Sequence, residues 1–246
     1  MKQEFPPVLA AWLRRARNHH LRDRFLLSGS TLIAALCPNG RIPKDIDYAV
    51  RGHYDASLMK RAIMQIVGTP DPHSQLQLQN VAEIFDYSDG FPGIRAELIE
   101  LLPAYQLQEF QVDFAFGDPL TLEPRLIEIA DIGAVLAVAP ESLFAWKVHA
   151  LVQFGPHAWR PKDIYDLHVL WEEGQLQIED LPEAIDIAFS SRDSSLEELD
   201  AFRFDVDWGL LDNGIRQWNT FARTYNIQRS FWSFRSQIRT ILNSLL

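Results

Sequence analysis

The hydrophobic positions change period several times along the chain. Between residues 5 and 24 they fall at helical spacing, with Leu9, Trp12 and Leu13 on the side to be buried. Phe25-Leu26-Leu27 is a short apolar strand end that stops at the Ser28-Gly29-Ser30 turn. Thr31 to Cys37 is helix-compatible, and Pro38-Asn39-Gly40 breaks it. Asp45-Ile46-Asp47 then leads into Tyr48-Ala49-Val50; as a strand it points both carboxylates one way and Ile46 and Tyr48 the other. A helix follows over 56–67, with Leu58, Ile63 and Ile66 available for burial and Gly68-Thr69-Pro70 ending it. Strands are expected over 81–87, 95–102 and 110–116, the first two joined by a turn at 88–93. The last strand alternates strictly: Phe110, Val112, Phe114 and Phe116 share one face and Asp113 sits on the other.

Strand character gives way to helix after about Ala137, so the expected division is residues 1–137 and 138–246. Pro140 opens a helix whose apolar stripe of Leu143, Trp146, Ala150 and Leu151 contains Lys147. A second helix over 161–171 offers Ile164, Leu167, His168 and Trp171, with Asp163 and Asp166 together on its flank. Ser194 with Glu197 reads as a capping box, and residues 231–245 carry a final amphipathic helix. The fold class is therefore α/β (α+β): a mixed sheet with helices, then a helical C-terminal lobe, with the site expected in the cleft between them.

Composition excludes several classes. Of the 246 residues 47% are hydrophobic and 23% charged, as in ordinary globular proteins. The one cysteine, Cys37, excludes an internal disulfide framework and a cysteine-rich zinc site, and reads as a core residue. There is no signal-peptide pattern and no apolar run of membrane-spanning length, so a cytoplasmic protein with no membrane partner is expected. The net charge of −10 opposes wholesale nucleic-acid wrapping. Basic residues nevertheless gather near the start (Arg14, Arg15, Arg17, Arg22, Arg24) and in the tail, either as solvated helix faces or as an RNA-facing surface.

The candidate chemistry lies in the carboxylates. Asp45 and Asp47 side by side repel unless a cation neutralises them. With Asp113 on a neighbouring strand they form an oxygen-donor set suited to two hard cations such as Mg²⁺. Such a pair serves in-line displacement at phosphorus. Gly29-Ser30 at a helix start offers backbone N–H groups and a hydroxyl to phosphate. Asp163 and Asp166 are candidates for the same site, or helix ion-pair partners, Lys162 being four residues before Asp166. His149 and His168 read as structural, and Asp118 as a turn former.

Gly29-Ser30, Asp45-x-Asp47 and Asp113, in that order, resemble the DNA polymerase β-like nucleotidyltransferase superfamily. Within it the chain is most similar to the AbiEii/AbiGii-type toxins. Residues 140–151, which carry Lys147, and the Arg160-Pro161-Lys162-Asp163-x-x-Asp166 segment add to the match. The spacer after Gly29-Ser30 is longer than in close relatives, many of which carry Gly-Gly there. The resemblance implies a Mg²⁺-dependent nucleotidyltransferase that moves a nucleoside monophosphate from an NTP to an acceptor, either the 3′ end of tRNA or a protein side chain. It implies the toxin of a toxin–antitoxin or phage-defence system, with an antitoxin as partner. On this reading Asp45, Asp47 and Asp113 hold the metal, and Gly29, Ser30, Lys147, Lys162, Asp163 and Asp166 contact the nucleotide. Lys147 also reaches the phosphates during transfer. The rival readings are a metal-dependent phosphohydrolase and a catalytically silent nucleotide-binding module.

Overall fold

The computed structural model describes residues 5–85, 92–101 and 107–246. Of the expected turn, residues 88–91 lie outside this description, as do the expected strand ends Tyr87 and Leu102. The chain divides into two compact units, Met1–Val138 and Ala139–Leu246. The expected architecture, a mixed sheet followed by a helical region, is what the two units show.

The first unit is built on a seven-stranded sheet. Its strands are β1 (Phe25–Ser28), β2 (Ile46–Val50), β3 (Gln75–Phe85), β4 (Pro92–Leu101), β5 (Leu107–Phe116), β6 (Arg125–Ile129) and β7 (Gly133–Ala137). Their spatial order is β3-β4-β5-β2-β1-β7-β6. β2 runs parallel to β5 and antiparallel to β1, while β3, β4 and β5 form an antiparallel meander. β3 begins six residues before the expected strand, at Gln75 rather than 81, because the polar alternation Gln75-Leu76-Gln77-Leu78 suits an edge.

Helix α1 (Pro7–Ala16) covers one face of this sheet's centre and is shorter than expected, residues 22–24 forming a separate 3₁₀ turn. Trp12, fully buried, meets Phe114 edge-on, and its Nε1 donates to the Tyr48 hydroxyl at 3.3 Å. Tyr48 stacks on Phe114 with ring centroids 5.3 Å apart. This aromatic layer fixes which side of β2 and β5 faces inward, since a one-residue slip would bring every polar side chain into it. Helix α3 (Ala56–Gly68), capped by the Asp55 side chain, buries Met59, Ala62, Ile63 and Ile66, leaving Leu58 half-buried.

The second unit is helical: α4 (Pro140–Ala158), α5 (Pro161–Glu173), α6 (Leu181–Ser190), α7 (Asp200–Phe204), α8 (Asp212–Thr224) and α9 (Phe231–Leu245). Gly155-Pro156 kinks α4, as a proline inside a helix does. The aromatic centre is Trp159, stacked on Phe231 at 4.2 Å, with Trp208 and Trp218 alongside. Gly214 allows this packing, since a Cβ there would lie 2.6 Å from the Trp159 Nε1. The capping box falls one residue later than expected, on Ser195 and Glu198, where it opens a 3₁₀ turn. On α4, Trp146 is only half-buried whereas Lys147 is buried.

Candidate active site

The sheet register assembles a row of four side chains. Ser28 of β1 lies opposite Asp47 of β2, Asp47 opposite Asp113 of β5, and Asp113 opposite Arg95 of β4. Directly opposed residues point to the same face, so the row stands on the side away from the Trp12–Tyr48–Phe114 layer. Asp45 is placed just before β2 and not within it. The Thr31 hydroxyl donates to the Asp45 carbonyl at 2.7 Å, tying this loop end to helix α2 (Gly29–Leu36).

Helix α2 begins directly above Asp47. Gly29 has φ of +60°, and a Cβ there would lie 1.9 Å from the Asp47 Oδ2. Only glycine combines that backbone with so close an approach of a carboxylate. Ser30 is only 6% exposed, so its hydroxyl sits inside the fold.

Asp113 is held by Arg95. The Arg95 Nε donates to one carboxylate oxygen at 2.8 Å and Nη2 to the other at 2.7 Å. Hydrogen bonding to Asp113 comes first among the influences that raise the Arg95 pKa, and the charges of Asp113, Asp45 and Glu97 add to it. The sequence reading did not single out Arg95; its only sign there is the polar position between Ile94 and Ala96. Beside Asp45 lies an open groove of about 830 Å³, whose lining includes Lys44, Asp45, Glu97, Glu109 and Gln111.

By chemistry Asp45, Asp47 and Asp113 fit a hard divalent cation, all three being oxygen donors on or next to one row. The cage is not closed as it stands. Among the described residues no three His, Cys, Asp or Glu groups are arranged to hold a metal ion, and Asp113 has both oxygens on Arg95.

The candidates of the second unit form a cluster of their own. Lys147 Nζ lies 2.8 Å from Asp166 Oδ2 and 3.1 Å from Asp163 Oδ1, and Arg160 Nε lies 2.5 Å from Asp163 Oδ2. Asp163 and Asp166 are 2% and 0% exposed. Burial acts to raise the Asp163 pKa, but the Lys147 and Arg160 charges outweigh it and hold the carboxyl below its ordinary value. Lys147 thus pairs with both acids, and Asp163 is shared between Lys147 and Arg160. Lys162 is exposed on α5. His149, next to the Ser194 hydroxyl at 3.1 Å, packs against Phe189 as a structural residue.

Two arginines of the basic N-terminal segment make internal contacts. Arg14 pairs with Asp71 at 2.9 Å, and Arg15, 4% exposed, donates to the Thr69 carbonyl and to Ser74. Arg15 is thereby withdrawn from the surface, while Arg14 stays half-buried.

An acidic strand set beside a third acid, with a Gly-Ser turn opening a helix over it, is the frame of a nucleotidyltransferase. The sequence agrees with that class over nearly its whole length. The chain belongs to the AbiEii family, described as nucleotidyl transferase AbiEii toxin, type IV TA system, whose sequence model matches residues 11–239. No curated protein matches. Two crystal structures from Helicobacter pylori are similar at 16% identity and a TM-score of 0.47: JHP933, over 98% of this chain and 99% of that one, and a presumed nucleotidyltransferase, over 89% and 94%. No helix of the described residues is long and apolar enough to cross a membrane.

Proposed function

We propose that the chain transfers a nucleoside monophosphate from an NTP to an acceptor at the Asp45–Asp47–Asp113 row, as the toxin of a two-gene system in the cytoplasm. The observation that carries this is the register: Asp47 and Asp113 stand opposite each other on parallel strands, directly beneath the start of α2 at Gly29. Asp45 and Asp47 would hold two Mg²⁺ ions between them, with Asp113 as third ligand on the acceptor side. Bound there, the cations would stabilise the attacking and leaving oxygens of an in-line displacement.

The residues of the chain supply the rest. Backbone N–H groups at Gly29 and Ser30 would orient the β- and γ-phosphates, which leave as pyrophosphate. Asp113, once out of the Arg95 fork, would accept the proton of the attacking hydroxyl. The acceptor is the 3′ end of an RNA or a protein side chain. The groove beside Asp45 lies where an acceptor could approach, and its Glu97 and Glu109 disfavour a run of phosphates in it.

Incubation with labelled NTPs, Mg²⁺ and total RNA or protein tests the reading. Label is expected on a macromolecule with the wild type and on none with Asp47→Asn, whose thermal melt stays at wild-type temperature. Label released only as free nucleotide would mean a phosphohydrolase. Binding without turnover would mean a silent nucleotide-binding module.

A further inference from the structure

Arg95 is the least expected member of the row. It lies within β4, and its Cα is set opposite that of Asp113 by the antiparallel register. The guanidinium engages both oxygens of the carboxylate, at 2.8 and 2.7 Å. Such a fork uses the outer edge of the carboxylate, the same edge that a chelating cation would use. The Asp113 side chain is 23% exposed and that of Arg95 37%, so the pair is open to exchange and is not locked in the core. Asp45 and Glu97 also act on the guanidinium, which makes Arg95 the resident cation of an otherwise acidic face.

Asp47 and Asp113, opposed on neighbouring strands with Asp45 just before β2, carry like charges that repel unless a counter-charge lies near. Arg95 supplies part of that counter-charge at Asp113. We infer that Arg95 is a built-in competitor for the divalent cation: it clamps Asp113 until the cation arrives, and is displaced as Asp113 turns to the cation. The inference rests on the reading of the three acids as cation ligands. Once displaced, the fork keeps its N–H donors beside the row, in a geometry that suits the oxygens of a nucleotide phosphate. Arg95 is thus a positioning residue that sets when the third ligand becomes available.

Binding of Mn²⁺ without nucleotide, followed by electron paramagnetic resonance of the free ion, tests the clamp apart from any turnover. Arg95→Met should bind Mn²⁺ on the order of tenfold more tightly, equivalent to about 1.4 kcal/mol. Arg95→Lys keeps the charge but loses the two-pronged contact, and should fall between wild type and Arg95→Met. Adding Asp113→Asn to Arg95→Met should remove the gain. Equal or weaker binding by Arg95→Met overturns the clamp, and so does an Arg95→Lys value equal to wild type, which would leave only a through-space charge effect. If label transfer persists while Arg95 has no influence on Mn²⁺, the clamp fails alone. If neither wild type nor Arg95→Met binds Mn²⁺, the clamp and the cation reading fail together. Should Arg95→Met not fold, Arg95→Lys against wild type decides by itself.

Discussion

At position 29 one methyl group is too many. Alanine there would set a Cβ 1.9 Å from the Asp47 carboxylate and would have to hold φ at +60°. The left-handed backbone alone costs about 1–2 kcal/mol, and the clash adds either a shift of α2 or a rotation of Asp47. Gly29→Ala is therefore expected to melt at a lower temperature and to lose transfer more completely than its stability loss explains. An active Gly29→Ala at full Tm would show that the helix start has room the geometry denies. At this scale Gly29 and the Asp45-x-Asp47 pair were legible, because the chemistry of each is local to a few residues. Thr31 and Arg95 were not. Each acts on a residue far from it in sequence, Thr31 on the Asp45 carbonyl and Arg95 on Asp113, through contacts that only the folded sheet creates.

Between elements, the ionic cluster joining α4 to α5 decides how Lys147 behaves. Its side chain is 10% exposed and pairs with two acids that are 3% and 0% exposed. Removing one partner of a buried pair typically costs about 3–5 kcal/mol, because the opposite charge stays behind. Lys147→Met should destabilise the second unit by that order, read as a lower denaturation midpoint, and a midpoint equal to wild type would show that the pairing with Asp163 and Asp166 contributes nothing to stability. The same cluster makes a pH statement. The Asp163 pKa is depressed in the folded state, so its contribution is complete above the ordinary carboxylate value of 3.8 and is lost as pH falls below it. Urea midpoints measured downward from pH 6 should hold until that region and then drop, and the drop should shrink in Asp163→Asn. The elements themselves were read unevenly. The long amphipathic helices and β5 were legible from period. β6 alternates exposed and half-buried positions up to Ile129, β7 opens on Gly133 and Ala134, and the first half of β3 is polar, so the hydrophobic signal was too weak to mark them.

Across the whole molecule the charge is −10, and one member of the local arginine cluster is taken into the interior. Arg15 is folded against Ala11, Thr69, Ser74 and Asp71, close to Glu100, which is 2% exposed. Burial, the largest influence, raises the Glu100 pKa, and Arg15 opposes it. Arg15→Met is thus expected to destabilise the first unit by about 3–5 kcal/mol, while the salt dependence of RNA binding keeps its slope. A flattened slope with an unchanged melt would restore the arginines as phosphate contacts. The parallel pairing of β2 with β5 has a consequence for the making of the protein. Asp47 leaves the ribosome long before Asp113, and β5 is the strand that seats itself between β2 and β4. Until that strand lies in the middle of the sheet, Asp47 has no Asp113 opposite it. The acidic row is therefore a product of the completed sheet: it exists only once residues 66 positions apart in the chain lie on neighbouring strands.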